Sequence, residues 1–269
     1  MKEFGLQLWS IGQEFTTAES TLAAFRWMQQ CGYTQAQTAG TYDYISPEQF
    51  RAYADECGIR IVGTHYSWER ICEDVEGTVN YHRILGTNEI GIGGHPCNTL
   101  EELQGFIAKF NEMAKIYATY GMVLSYHNHS SEFSNRFKAY EGKTMFDYLK
   151  EGLDPETTCF NLDVAWTQLA GVDVRALIEE LRGRINIIHL KDVEADHVYP
   201  FIGEWNEQHH GPQRIEIGRG NMNFPGIIRT GEECGVKYFV VEDEVYSTGK
   251  PMESIKMSAD YIKAHLLEK

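Results

Sequence analysis

No apolar run in this 269-residue chain approaches the roughly 18 residues that a membrane-spanning helix needs. The opening Met1-Lys2-Glu3-Phe4-Gly5-Leu6-Gln7 has no extended apolar region preceded by basic residues, so no secretion signal is expected and the cytoplasm is the expected location. Positive charge is short as well: 24 Lys and Arg against 39 Asp and Glu leave a formal net charge of -15. Binding a nucleic-acid backbone needs clustered Lys and Arg to release counterions, so this balance argues against nucleic acid as a partner. The six cysteines (Cys31, Cys57, Cys72, Cys97, Cys159, Cys234) form no C-x-x-C pair and read as reduced thiols. No strand is followed by a G-x-G-x-x-G or Walker-type loop, and Gly91-Ile92-Gly93-Gly94 and Gly218-Arg219-Gly220 both read as tight turns. That absence counts against a doubly wound dinucleotide-binding sheet.

What is present is a regular alternation of short apolar strands and amphipathic helices. The strands are expected at Phe4 to Trp9, Tyr33 to Thr38, Ile59 to Thr64, Glu89 to Ile92, Met122 to Tyr126, Thr158 to Leu162, Ile185 to Leu190 and Tyr238 to Val241. Helices are expected between them: Thr17 to Gln30 closed by Gly32, a helix capped by Ser46 with Pro47 in its first turn, Glu73 to Leu85, and Thr99 to Tyr120. The rest are expected at Thr144 to Lys150, from Asp173 through Leu181, from about Phe224, and at Met252 to Leu267. Eight strands alternating with helices is the count of a (β/α)8 TIM barrel, and its usual size lets residues 1–269 form a single domain. One connection breaks the rhythm. Between Lys191 and Phe224 runs a long loop holding Trp205, His209, His210, Arg214 and Arg219, whose content suits a pocket wall or lid.

Several strands run straight from apolar residues into polar ones. Ile187-Ile188-His189-Leu190-Lys191-Asp192 is the plainest example, and His65, His127, Asp163 and Glu242 stand at equivalent places. A strand-end His is more often a hydrogen-bonded core residue than a ligand, and a strand-end carboxylate often caps a turn. Five such residues gain weight together because the carboxyl ends of barrel strands share one mouth. Carboxylates combined with imidazole suit a divalent ion, Mn2+ foremost, with Co2+, Mg2+ and Zn2+ as alternatives. Asp163, His189 and Glu242 offer three ligands; the fourth is Glu132, folding back from beyond strand five, or His127 in its place.

These residues resemble a known family. Gly5-Leu6-Gln7-Leu8-Trp9-Ser10, Tyr126-His127-Asn128-His129 with Glu132-Phe133, His189-Leu190-Lys191-Asp192, Gly218-Arg219-Gly220 before Asn223-Phe224-Pro225, and Val240-Val241-Glu242-Asp243 are similar to the sugar phosphate isomerase/epimerase family, which has the xylose isomerase-like barrel. The likeness runs in order over nearly the whole chain. It implies a divalent metal held by Glu132, Asp163, His189 and Glu242, with Gln37 after strand two where relatives often carry Glu.

The expected chemistry is proton abstraction beside a carbonyl, giving an enediolate. Glu242 or Glu132 would take the proton and His127 or Lys191 would relay it, while His65, His129, Trp9 and Arg219 would contact the substrate. Trp68, Trp166 and Trp205 are further candidates for stacking on a sugar face. Arg214 and Arg219 alone could serve a phosphate, so a neutral sugar, keto sugar or inositol derivative is the expected substrate. Return of the proton gives isomerisation or epimerisation; expulsion of a β-substituent would make the protein a lyase or dehydratase on keto-inositols or 3-keto-glycosides. A non-catalytic sugar-binding barrel and a DNA-repair endonuclease are the remaining alternatives. Barrels of this sort often pair through helices or loops near the mouth, so a homo-oligomer is allowed.

Overall fold

The computed structural model describes residues 1–133, 142–195, 213–244 and 246–268. Its frame is a closed parallel barrel made of β1 (Gly5–Gln7), β2 (Gln35–Ala39), β3 (Arg60–His65), β4 (Glu89–Ile92), β5 (Val123–His127), β6 (Thr158–Asp163) and β7 (Ile185–Leu190). A two-stranded antiparallel ribbon follows, β8 (Asp192–Glu194) against β9 (Gln213–Ile215), and β10 (Tyr238–Val241) then closes the ring between β7 and β1. The ribbon lies in the long connection that the sequence marks as a loop; Trp205, His209 and His210 of that connection lie outside the described residues.

Local chemistry starts and stops the outer helices. Thr17 and Ser20 make a capping box at the head of Ala18–Cys31, and Gly32 ends that helix with φ of 99°, a conformation open to glycine without a side-chain penalty. Ser46 accepts from the Gln49 amide before Pro47–Glu56, and Thr99 pairs reciprocally with Glu102 before Leu100–Ala118. The helix expected between Glu73 and Leu85 is Val75–Leu85, and a further short helix, Trp68–Glu73, precedes it; the Asp74 carboxylate accepts from the Gly77 amide and restarts the chain between them. A short helix at Val164–Leu169, with no signal in the periodicity, is capped by Asp163 itself. All six cysteines are free.

The main apolar core lies between barrel and helices, and a separate small cluster consists of Val62, Ile187 and Val240. Ile187 and Val240 are two residues before His189 and Glu242, so they share a strand face with them. Many buried strand residues are polar: Gln7, Gln35, Gln37, Glu89, Ser125, Asn161, Asp163 and His189. Small residues make room for them. A side chain on Gly91 would place its Cβ 2.4 Å from the Thr64 carbonyl oxygen and 2.8 Å from Asn161 Nδ2. Gly91 and Ile92 belong to the strand expected over Glu89 to Ile92, and not to the tight turn read at Gly91-Ile92-Gly93-Gly94.

The Gly218-Arg219-Gly220 segment is a turn, and its purpose is structural. The Asp192 carboxylate accepts from four backbone amides, those of Val193, Gly218, Gly220 and Met222, at 2.8–3.1 Å. A Cβ on Gly220 would meet Asp192 Oδ1 and the Val193 carbonyl oxygen, each at 2.4 Å. The carboxylate thereby ties the start of the ribbon to the chain leaving it.

Two outcomes follow for stability. Gly91→Ala should cost about 1–3 kcal/mol through overpacking, whereas Gly105→Ala, exposed in the middle of Leu100–Ala118 with nothing near its Cβ, should gain roughly 0.5–1 kcal/mol; urea unfolding of both variants checks the contrast. His82 is fully buried, its Nδ1–H bonded to the Thr78 carbonyl at 2.7 Å and its Nε2 to the Thr64 hydroxyl at 2.8 Å. Burial pushes its pKa down to about 4, against ~6.5 in an unfolded chain. The unfolded state therefore binds the extra proton between those values, so this contribution to stability is intact above pH ~6.5 and is lost as pH falls toward 4, by up to ~1.4 kcal/mol per pH unit. His82→Gln should show a shallower fall between neutral and acid pH; an unchanged slope would assign the acid sensitivity to other groups.

Candidate functional site

The residues that end the barrel strands meet at one mouth. Ligand-capable atoms of His127, Asp163, His189 and Glu242, all buried, lie within 4.8 Å of one another, and a second grouping of His65, His127 and His189 overlaps with it. Register places them on one face: Asp163 pairs directly with His189, while His127 pairs with Asn161, two residues before Asp163, and His189 with Val240, two residues before Glu242. Above the group opens a cavity of about 310 Å³ lined by Trp9, Ala39, His65, Gly93, His127, His129, Glu242 and Glu244.

Asp163 is held from several sides. One carboxylate oxygen accepts from the Trp166 amide at 2.8 Å, so the residue does cap the helix after it. Its own backbone amide donates to Asn128 Oδ1 at 3.0 Å, and its carbonyl accepts from the Thr167 hydroxyl at 2.7 Å. That leaves Oδ2, which takes no hydrogen bond among the described residues and lies 3.0 Å from the Lys191 ammonium. Lys191 Nζ also stands 2.9 Å from Glu242 Oε2 and 3.2 Å from Glu244 Oε2, with the side chain 1% exposed. Burial disfavours the ammonium, but Asp163 and Glu242 outweigh it and hold the Lys191 pKa above its ordinary value. Burial likewise works against the Glu242 carboxylate; Lys191 and His189 reverse that and hold its pKa well below the carboxylate range.

The imidazoles form a second layer. His127 packs 4.6 Å from His189, 4.9 Å from His65 and 4.8 Å from His129, measured between ring centres. Burial, reinforced by His189, pushes His65 down to about 3, and burial with the same neighbours drives His127 well below its ordinary value. Both rings are therefore neutral at physiological pH. His127 Nδ1 is buried without a hydrogen-bond partner. His189 Nδ1 lies 3.1 Å from Glu242 Oε2, and its Nε2 is 2.6 Å from Gln37 Oε1.

Glu132 is not brought into the four-residue group. It sits in a short turn of helix, Ser130–Phe133, where Oε1 accepts from the Tyr126 hydroxyl at 3.0 Å, and Oε2 from the Ser131 hydroxyl at 2.8 Å and the His129 amide at 3.0 Å. Burial would raise its pKa, but the bonds from His129 and Ser131 outweigh that and lower it. His127, the last residue of β5, stands where the group needs a fourth member. His129 is half-buried against the cavity, with Nδ1 3.9 Å from Glu132 Oε1.

The remaining expectations divide. Trp9 is 63% exposed at the cavity lip. Arg219 donates to the Ser247 hydroxyl at 2.9 Å and is not among the described residues lining the cavity. Arg214 is ion-paired with Glu244 and lies 4.5 Å over the Trp166 ring, so that face of the indole is covered. Trp68 stacks on Phe110 with ring centres 5.6 Å apart, within the helix layer. Sequence reasoning passed over Glu244, Asn128 and Gln7. Glu244 alone carried a signal, lying two residues past Glu242 at a strand end.

The donor set itself fits a divalent metal: two carboxylates and two imidazoles, one imidazole nitrogen unpartnered and buried. The profile of the xylose isomerase-like TIM barrel family matches residues 25–265. Among solved structures, a sugar phosphate isomerase/epimerase from Parabacteroides distasonis is 24% identical, with all of both chains covered and a TM-score of 0.82. A probable 3-DHS dehydratase from Bacillus anthracis is 14% identical, covering 97% of this chain and 98% of its own, at a TM-score of 0.71. An L-ribulose 3-epimerase is 13% identical, covering 98% and 94%, at 0.69. No curated protein matches the sequence. With a profile match over most of its length and a closed eight-stranded parallel barrel, the chain belongs to the xylose isomerase-like TIM barrel family.

Proposed function

We propose that the protein is a metal-dependent isomerase or epimerase that removes a proton beside the carbonyl of a sugar, keto sugar or inositol derivative. The observation that carries this reading is the convergence of His127, Asp163, His189 and Glu242, of which His127 and Glu242 line a cavity open to solvent. A divalent ion held by these four, Mn2+ suiting the set best, supplies Lewis-acid polarisation of a carbonyl oxygen and eases loss of the adjacent proton.

The chain's own residues do the rest. His129 is the proton carrier: it borders the cavity, stays partly open, and has the Glu132 carboxylate behind its Nδ1. Glu132 is thereby a positioning residue, since its oxygens are already occupied by three donors. Lys191 keeps Glu242 ionised and holds both Asp163 and Glu242 in place beneath the cavity. His65, neutral and at the wall, offers a hydrogen bond to a substrate hydroxyl, and Trp9 offers an apolar ring to a sugar face at the lip. Arg214 and Arg219 are committed to Glu244 and Ser247, which favours an uncharged substrate over a phosphorylated one. The chain's -15 net charge supports a small-molecule partner rather than nucleic acid.

Elimination is the second reading. The likeness to a probable dehydratase bears on it, and His129 is placed to protonate a leaving group as readily as a carbon. Incubation with keto sugars and keto-glycosides in D2O separates the two: isomerase or epimerase action leaves deuterium in an intact sugar, and a lyase releases water or an aglycone.

Protein purified without chelator should carry about one divalent ion per chain by elemental analysis. Asp163→Asn and His127→Ala should lose it while staying folded, and Glu132→Gln should keep it; loss from Glu132→Gln with retention in His127→Ala would move the fourth ligand to Glu132. His129→Asn should slow deuterium uptake by about 10²–10⁴-fold with metal content unchanged. Uptake at the wild-type rate would remove His129 from the proton path.

A further inference from the structure

Three buried side chains behind the mouth form a relay that fixes which nitrogen of His189 faces the site. The relay begins at a backbone group whose donor character is not in question. The Trp9 amide N–H donates to Gln7 Oε1 at 2.9 Å, so the Gln7 amide is oriented with its NH2 outward from that contact. Gln7 Nε2 then donates to Gln37 Oε1 at 3.3 Å, which identifies the atom facing it as a carbonyl oxygen. The same oxygen lies 2.6 Å from His189 Nε2. An amide oxygen can only accept, so His189 carries a proton on Nε2. All three side chains are 0% exposed, so bulk water does not compete for these contacts.

The consequence falls on the other nitrogen. In a neutral ring protonated at Nε2, Nδ1 has a lone pair, and it faces Glu242 Oε2 at 3.1 Å. Two acceptors turned to one another inside a buried site repel unless a cation stands between them: a proton on Nδ1, which makes the ring an imidazolium paired with Glu242, or a metal that takes that proton's place. A neutral ring protonated at Nδ1 alone would instead turn an Nε2 lone pair on Gln37 Oε1 and withdraw Nδ1 from metal binding.

The geometry points to Gln37, braced by Gln7, as the positioning residue that presents the His189 Nδ1 lone pair to a metal. A ligating histidine commonly bonds its far N–H to a carboxylate or carbonyl, and that outer partner orients the ring. Here the partner is a neutral amide on β2, supported by its directly paired neighbour on β1. The inference rests on the metal reading of the site, but its orientation claim concerns the metal-free ring.

Two readouts on the full-length protein test it. In chelator-treated wild type at mildly alkaline pH, the histidine nitrogen–proton correlation spectrum should place the His189 proton on Nε2; in Gln37→Leu that preference should weaken or reverse. Mn2+ titration of the same samples should show Gln37→Leu weakened by about 10- to 100-fold. Gln37→Glu, which keeps an acceptor, should stay within about threefold of wild type. Gln7→Leu, which does not touch His189, should weaken binding in the same direction and serves if Gln37→Leu fails to fold. A neutral wild-type ring protonated on Nδ1 and not on Nε2, or a folded Gln37→Leu that binds Mn2+ as tightly as wild type, would overturn the assignment. Should wild type bind no Mn2+, the metal reading fails, and the ring spectrum still decides the orientation.

Discussion

Lys191 places its ammonium 2.9 Å from Glu242 and 3.0 Å from Asp163 at a point almost closed to solvent. Removing one member of such a group strands the opposite charge in a poor dielectric, at a cost of about 3–5 kcal/mol, although the intact pair adds little net stability. Its value here is positional. Asp163 ends β6, Lys191 follows β7 and Glu242 follows β10, so one cation links three strand ends and fixes the carboxylates before any ligand arrives. The remaining features of the mouth arrange themselves around it: Glu244 closes the cation's third side, and Arg214 covers Trp166 while pairing with Glu244.

Polar side chains reach the centre of this barrel because the chain leaves space for them. Gly91 has no Cβ under the Thr64 carbonyl and Asn161, and Ile187 and Val240 supply the apolar floor beneath His189 and Glu242. The arrangement trades packing for function: strand positions that would strengthen a barrel as Val or Ile are instead Gln7, Gln37, Asp163 and His189. A buried polar network is tolerated when its members satisfy one another. The Trp9–Gln7–Gln37–His189 chain meets that condition in part by passing each contact on to the next, while Gln37 Nε2 stays buried without a hydrogen-bond partner among the described residues.

Much of this was legible in the sequence because periodicity and strand-end chemistry are local signals. The β4, β7 and β10 strands have the expected limits, and Thr17, Ser46, Thr99 and Asp173 cap the helices they precede. The Asp163, His189 and Glu242 convergence follows from the barrel alone. What the sequence hid is set by side-chain reach. Whether His127 or Glu132 joins the group depends on where a six-residue segment turns, and the donors that tie Glu132 to Tyr126, Ser131 and His129 cannot be counted from spacing. Arg219 was expected near a substrate, but the turn made by Gly218 and Gly220 around Asp192 takes it to Ser247. Trp68 reads as a mouth residue by position and packs on Phe110 instead. The relay through Gln7 and Gln37 crosses 152 residues of sequence between its last two members and leaves no local trace.

The central claim is that the strand-end group, with His127 rather than Glu132 as its fourth member, is a metal centre. Anomalous diffraction at the manganese edge, from crystals equilibrated with Mn2+, tests it most directly. The account predicts one strong peak among His127, Asp163, His189 and Glu242. A peak coordinated by Glu132 with His127 turned away, or no peak in the barrel mouth at saturating Mn2+, would contradict it.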